Sequence, residues 1–179
     1  MNTMLAKIQE KLDTLSQKRR ALLQHLDAQT PEAIAYKAGP DKWSVVEAIE
    51  HLVIVEDNFL NQVSANMPTS SLDPAARSPE KYEVVLKVMK RDIEVDVPHE
   101  SMEPHGHFGL NELLDKWDGI RKKMHELLNV FDSDARDNLI YQHPYAGPLN
   151  IMETLEFIEV HFDNHVRHID RILAQRASR

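Results

Sequence analysis

The sequence predicts an all-α protein, a four-helix bundle that runs up-down-down-up with a long crossover between the second and third helices. Apolar residues recur at spacings of three and four in four separate segments, and no segment alternates convincingly as a strand. Five of the nine prolines fall between about residues 67 and 108, which is typical of a long connection. Short connections join antiparallel neighbours, whereas a long one permits parallel neighbours, and this gives the predicted order of directions.

Composition narrows the function classes. The length of 179 residues suits one domain, spanning residues 1–179, and is short for two. Cysteine is absent, so any metal site must be built from His, Asp or Glu. The net charge of -8 disfavours a nucleic acid as partner, because binding a phosphate backbone rests on clustered Lys and Arg. No stretch approaches the roughly 18 apolar residues of a membrane span, and the N-terminus lacks the apolar segment of a signal peptide. We therefore expect a cytoplasmic protein without a membrane partner.

The first two helices follow from periodicity and capping. Residues from about 3 to 28 form the first amphipathic helix, and a connection of about a dozen residues follows. Ser44 and Glu47 have the spacing of a capping box, in which each side chain accepts from the other's backbone N–H, so the second helix begins there. Its apolar face contains Glu56, and an ionised carboxylate in that place needs a partner. We interpret Glu56 as an interhelical hydrogen-bonding residue, and a catalytic acid is the alternative.

The second half of the chain supplies the crossover and two more helices. A helix-start pattern at residues 78–80 predicts two or three turns over residues 82–89, lying across the bundle. The exit of the crossover contains His99, His105 and His107. These histidines could close over a pocket, although polar loop residues usually face water. The third helix covers about residues 109–131, and the fourth begins at a second capping-box-like signal, Asn150 with Glu153, and runs to about residue 175.

The fourth helix carries two histidines spaced by four residues, His161 and His165. They lie about 40° apart around the helix with Cβ atoms roughly 6 Å apart, so their imidazoles could share one metal ion. The apolar stripe puts His165 inside its edge, His161 just beyond, and His168 furthest out. The spacing alone is weak, because ten histidines give about half such a pair by chance. Histidines without a ligand role, in the core or at the surface, are therefore the alternative.

A third candidate ligand, His51, lies on the second helix. In an up-down-down-up bundle the second and fourth helices run in opposite directions. At 1.5 Å per residue, His51 stands ~22 Å above the C-terminal end of its helix, while His161 and His165 stand ~18 and ~24 Å above the start of theirs. The three imidazoles fall at one level of the bundle, which favours a shared metal site.

These residues also resemble a known family. The resemblance rests on KWSVVEAIEHL at residues 42–52, on GPLN at residues 147–150 before a helix, and on the His161-x-x-x-His165 pair. Together they are similar to the DinB-like superfamily of four-helix bundles, over about residues 5–175. The resemblance implies a left-handed up-down-down-up bundle, frequently dimeric, with a divalent metal held by His51, His161 and His165. Relatives often have Gln where His168 stands, so His168 departs from the family pattern.

The site predicts a metal-dependent enzyme. Three neutral imidazoles leave an open position on a divalent ion, as in catalytic zinc sites, and zinc or nickel suits them better than magnesium or calcium. The superfamily that the chain resembles includes thiol-dependent S-transferases, proteins assigned as metal-dependent hydrolases, an isomerase and many members without known activity. We therefore predict a hydrolase or thiol S-transferase that acts on a small molecule, with a low-molecular-weight thiol as a candidate cosubstrate, in a homodimer. His168 and Glu56 are the candidate catalytic residues.

A second hypothesis remains open at this point. The chain could be a non-catalytic helical bundle with structural metal or none, whose surface serves dimerisation or partner binding. For His168 a solvent-exposed position at the rim is an equal alternative to a base or an additional ligand beside the metal.

Overall fold

The computed structural model describes residues 3–69, 72–91 and 99–178, and these residues are mainly helical, as predicted. The helices are α1 (Thr3–Asp27), α2 (Pro31–Ala35), α3 (Val45–Asn66), α4 (Pro79–Met89), α5 (Leu110–Asn129) and α6 (Ile151–Ala177). A small antiparallel hairpin of β1 (Tyr141–His143) and β2 (Gly147–Leu149) precedes α6. No helix in these ranges is both long enough and apolar enough to cross a membrane.

The helix starts are set by the predicted side-chain caps. At α3 the Ser44 hydroxyl accepts from the Glu47 N–H at 3.2 Å, and the Glu47 carboxylate accepts from the Ser44 N–H at 2.7 Å. At α6 Asn150 and Glu153 exchange the same two bonds, each 3.0 Å long. Both capping boxes are therefore confirmed, and each satisfies backbone donors that a helix cannot satisfy internally.

Two short elements differ from the sequence prediction. The connection after α1 contains the five-residue helix α2, whose Thr30 side chain accepts from the Ala33 N–H. The expectation that the chain has no strand is wrong for the hairpin, in which Tyr141 pairs with Leu149 and His143 with Gly147. Its strands are three residues long, too short for alternation to be recognised in sequence.

The four long helices α1, α3, α5 and α6 share one hydrophobic core. Both α1 and α3 pack against α5 and against α6. The largest side chains that are fully buried in this core include Trp117, Tyr141, Phe59, Phe162, Met124 and Leu128. Because aromatic side chains from the long helices and from β1 meet here, the core fixes the hairpin relative to the bundle.

The shorter elements form an outer layer beside α6. The Tyr82 hydroxyl of α4 donates to the Glu153 carbonyl at 2.9 Å, and the Asn164 amide of α6 donates to the Met89 carbonyl at 3.1 Å. The hairpin touches the crossover at Gly147, which has a φ of +80° and where an added Cβ would lie 2.2 Å from the Ala76 carbonyl oxygen. This close contact requires glycine. The outer layer, α3 and α6 together enclose the cavity described below.

Candidate metal centre

One imidazole from α3 and two from α6 converge in the interior. One ligand nitrogen from each of His51, His161 and His165 lies within 4.8 Å of the other two. The Nε2 atoms of His51 and His161 are 3.1 Å apart. A tetrahedral zinc ion with Zn–N bonds of 2.0–2.1 Å would hold its nitrogen ligands about 3.3 Å from one another. The spacing of the three rings is therefore compatible with a common ion.

Burial makes a partner for these nitrogens necessary. His51 and His161 are 3% and 5% exposed, and His165 is half-buried. The Nδ1 atom of His165 is enclosed and has no hydrogen-bond partner among the described residues. A buried polar atom without a partner costs about 1–3 kcal/mol. A divalent ion in this group would remove polar nitrogens from that unfavourable state, so the residues present fit a metal.

The order of burial differs from the sequence prediction. The apolar stripe of α6 suggested that His165 would lie deeper than His161, whereas His161 is the more buried of the two. The reason is that the Phe157 ring packs on His161 and in turn meets His143 of the hairpin edge to face, so the outer layer covers this side of α6. A periodicity argument considers one helix and cannot include this outer layer.

All three imidazoles are held in the neutral form. Burial is the main reason that the pKa values of His161 and His165 lie well below 6.5, and repulsion between neighbouring rings lowers both pKa values further. Burial also lowers the pKa of His51, although the hydrogen bond to the Met102 carbonyl opposes that shift. Neutral imidazole is the form that binds a metal.

The crossover orients the ligand from α3. His51 Nδ1–H donates to the Met102 carbonyl oxygen at 2.7 Å, which leaves the Nε2 lone pair directed at the other two histidines. The buried carboxylate of Glu50 accepts from the backbone N–H groups of His105 and Gly106 at 3.0 and 2.9 Å. Glu50 therefore bonds the exit of the crossover to α3, directly beside His51.

Trp43 packs on two of the three histidines. Its ring stacks on His165 with centroids 6.1 Å apart and planes 17° apart, and its centroid is 5.1 Å from that of His51. His168, a predicted catalytic candidate, is half-buried against the same Trp43 ring at 5.9 Å. His168 lines a small separate cavity with Trp43 and Arg171, and the larger cavity at the three histidines is lined by other residues.

A cavity of about 430 Å³ adjoins the three histidines. Its lining is mostly apolar and includes Val55, Val85, Met89, Met102, Tyr141 and Phe157. Among the described residues, no Asp, Glu, Lys or Arg lines it. A concave apolar site of this size with a few polar groups is typical of small-molecule binding.

His143, the last residue of β1, is a further polar group in this cavity. Its Nδ1 accepts from the backbone N–H groups of Tyr145 and Ala146, each at 3.1 Å. Burial lowers the pKa of His143 to about 4. Its ring meets Phe157 edge to face with centroids 4.6 Å apart. The sequence analysis missed this residue, because a histidine in a proline-containing loop carries no signal of its own.

Glu56 has the interhelical hydrogen bonds that the sequence analysis expects. Its carboxylate accepts from Arg121 at 2.5 and 2.6 Å and from Trp117 Nε1 at 2.8 Å, and the residue is 2% exposed. Both partners lie on α5, so the group joins α3 to α5. Glu56 does not line the cavity at the three histidines. The catalytic alternative for Glu56 stays a prediction.

The histidines of the crossover exit have exposed side chains. His99 Nδ1 bonds to the Ser101 hydroxyl at 2.8 Å, and His105 uses its backbone N–H on Glu50. The crossover does contribute to the cavity, through Met102. The exit therefore reaches the candidate site with a carbonyl oxygen and an apolar side chain. Neither feature is visible in a search for metal-binding residue types.

The helices and the three-histidine group define a mainly helical protein with a candidate divalent-metal centre. A family model described as the DinB superfamily matches residues 14–169, which include all three histidines. The chain belongs to the DinB superfamily. No curated protein and no solved structure gave a match.

Proposed function

We propose that this protein is a metal-dependent enzyme in which His51, His161 and His165 hold one divalent ion, zinc or nickel. The observation that carries the proposal is the convergence of three neutral imidazoles beside an apolar cavity. Three nitrogen ligands leave a coordination position for water or substrate, and such a set suits zinc or nickel. The reaction class we propose is hydrolysis or thiol transfer on a small molecule.

The chain contributes orientation and exclusion of water. When bound, a divalent ion of this kind polarises a carbonyl or lowers the pKa of a bound water or thiol. The Met102 carbonyl fixes the tautomer of His51, and Trp43 limits the freedom of His165 by stacking on it. The apolar lining strengthens electrostatic interactions at the histidines, because it keeps the local dielectric low.

Of the two candidate catalytic residues, this proposal keeps His168 and gives Glu56 a structural role. The His168 ring is 6.1 Å from that of His165, and both rings contact Trp43, so His168 is proposed as a base that assists from beside His165. Both oxygens of Glu56 are engaged by α5, which supports a structural role for that residue. We therefore assign Glu56 to the core and keep His168 in the proposed site.

The up-down-down-up direction of the four long helices belongs to the same proposal, and four contacts in and next to α1, α3 and α6 support it. Lys11 and Lys18 of α1 pair with Glu159 and Asp163 of α6 in the same order along both helices. A parallel pair of helices produces this order. Trp43, just before α3, meets His165 late in α6, whereas Phe59 late in α3 meets Tyr141 just before α6. The start of α3 thus lies beside the end of α6 and the end of α3 beside the start of α6, as expected for antiparallel helices.

The remaining expectations also stand as proposals. We propose a homodimer in the cytoplasm, with a low-molecular-weight thiol as cosubstrate if the reaction is thiol transfer. Light scattering coupled to size-exclusion chromatography would test the dimer, with a mass of one chain, 20.6 kDa, as the contradicting result.

Activity assays test the enzymatic part of the proposal. Zinc-loaded and nickel-loaded protein would be assayed with low-molecular-weight thiols plus electrophiles, and with simple esters and amides. We expect turnover in one class, lost on chelation and in His161→Ala, and retained in His25→Ala, whose ring is exposed beside Asp170. Turnover that is equal in His161→Ala would contradict the proposal. Bound metal without turnover in any class would favour the non-catalytic bundle with structural metal.

A further inference from the structure

The fold fixes the position of His143 within the cavity. His143 ends β1 and pairs with Gly147 of β2, so residues 144–146 form the connection between the strands. The Ala146 carbonyl accepts from the Ser78 N–H at 3.2 Å, and Gly147 packs on Ala76. These contacts hold the hairpin on the crossover. The backbone that carries the imidazole is therefore held both by strand pairing and by the crossover.

The hydrogen bonds of His143 determine which ring nitrogen carries its proton. Nδ1 accepts from the N–H groups of Tyr145 and Ala146, so it cannot carry a proton of its own. The proton of the neutral ring is then on Nε2, which is a donor. No described residue accepts a hydrogen bond from Nε2, although the residue lines the cavity. Edge-to-face packing on Phe157 restricts rotation of the ring.

The donor lies close to the candidate metal ligands. The Phe157 ring is 4.6 Å from that of His143 and 5.5 Å from that of His161, measured between centroids. The two histidines are thus separated by one aromatic ring at the wall of one cavity. A small molecule in this cavity can reach both of them. The rest of the described lining is apolar apart from Asn164 and the three grouped histidines, with two tyrosine rings among it.

We propose that the cavity binds an apolar small molecule that bears a carbonyl oxygen, and that His143 Nε2–H donates a hydrogen bond to that oxygen. The inference rests on the proposed function in taking this cavity as the substrate site. It selects esters, amides, ketones and related electrophiles over ligands with a charged body, because a charge buried without a partner is costly. A fixed donor at a carbonyl oxygen also favours the build-up of negative charge there during reaction.

The test compares two probes of nearly the same shape, acetophenone and α-methylstyrene, of which only the ketone has an acceptor oxygen. Binding is measured by NMR titration of the full chain, both after chelation and after zinc loading. The variant His143→Asn keeps an acceptor for the N–H groups of Tyr145 and Ala146, because the Asn side-chain oxygen corresponds to Nδ1, and it removes the Nε2 donor. The variant His143→Gln is the converse, with an amide N–H near the position of Nε2.

In the chelated protein we expect both probes to bind and acetophenone to bind more tightly. His143→Asn should weaken acetophenone about 3- to 10-fold, which is the range of one net hydrogen bond, and leave α-methylstyrene within about twofold. His143→Gln should recover part of the loss. Equal weakening of both probes, no weakening of acetophenone, or no saturable binding of either probe would overturn the proposal.

Two further measurements keep the outcome interpretable. Long-range ¹H–¹⁵N spectra of wild-type protein should show the Nε2–H tautomer of His143 and a shift of its resonance with acetophenone, even if the variants fold poorly. The Nδ1–H tautomer would overturn the inference. Because the discrimination is measured without metal, its failure is distinguishable from failure of the metal site, which shows as an absence of zinc binding while the probes still discriminate.

Discussion

The ion pair between Glu56 and Arg121 offers the sharpest test of how the core is held together. The Arg121 side chain is 8% exposed and that of Glu56 is 2% exposed, with their closest atoms 2.5 Å apart. The substitution Arg121→Met removes the cation and leaves the carboxylate buried, with Trp117 Nε1–H as its remaining partner. Breaking a buried pair in this way costs about 3–5 kcal/mol, because the remaining charge is uncompensated.

The assay is reversible urea unfolding, with thermal unfolding as a second readout. A loss of about 3–5 kcal/mol in a chain of this size lowers the unfolding midpoint by about 10 °C. Lys116→Met on the same helix is the matched control, since Lys116 pairs with Asp57 at 3.6 Å in an exposed position. Exposed pairs contribute about 0–1 kcal/mol, so the control should stay near the wild type.

A double variant separates the buried charge from lost packing. In Glu56→Gln with Arg121→Met, the amide oxygen can still accept from Trp117 while no charge remains. We expect the double variant to be more stable than Arg121→Met alone by at least about 1–2 kcal/mol. If Arg121→Met stays within about 1 kcal/mol of wild type, or if the double variant recovers nothing, the structural role given to Glu56 is refuted.

Three further predictions concern the hairpin, the buried histidines and the crossover. Gly147→Ala should destabilise the protein by at least about 2 kcal/mol, because the φ of +80° and the Ala76 carbonyl both oppose a Cβ. Gly119→Ala in α5, where an added Cβ meets nothing within 4 Å, should stabilise it by about 0.5–1 kcal/mol. Urea unfolding measures both changes, and equal effects would contradict the account. Because folding depresses the pKa of buried histidines, the unfolded chain binds more protons than the folded chain as pH falls below 6.5. Metal-free protein should therefore lose stability between pH 6.5 and about 4, the latter being the pKa of His143, by up to about 1.4 kcal/mol per pH unit per histidine. His143→Asn should make the dependence of stability on pH shallower, and an unchanged slope would contradict the account. Glu50→Ala frees the crossover exit and should weaken zinc affinity about 10- to 100-fold in a competition titration, whereas undiminished affinity would remove Glu50 from the site.

Local patterns were sufficient to predict the long helices and two of their starts. Apolar spacing depends on one helix at a time, and each capping box is contained within four residues, as at Ser44 and Asn150. The grouping of the three histidines could be predicted because two of them share a helix face and the third falls at the same height on a neighbouring helix. That argument needs the helix order and the rise per residue.

The outer layer of the site could not be predicted in this way. The Met102 carbonyl that orients His51 is a backbone atom and has no residue-type signature. His143 becomes part of the cavity because a hairpin of three-residue strands docks on the crossover through Gly147, which is a contact between distant segments. The greater burial of His161 has the same origin, since it depends on what covers α6.

Metal stoichiometry tests the central claim most directly. Protein purified without a histidine tag would be equilibrated with zinc or nickel and dialysed. Its metal content per chain would then be measured by inductively coupled plasma mass spectrometry. The comparison includes His51→Ala, His161→Ala, His165→Ala and the control His25→Ala. A common ion predicts about one divalent ion per chain in wild type and control, lost in each of the other three variants. Wild-type protein without metal, or the same metal content in all variants, would contradict it.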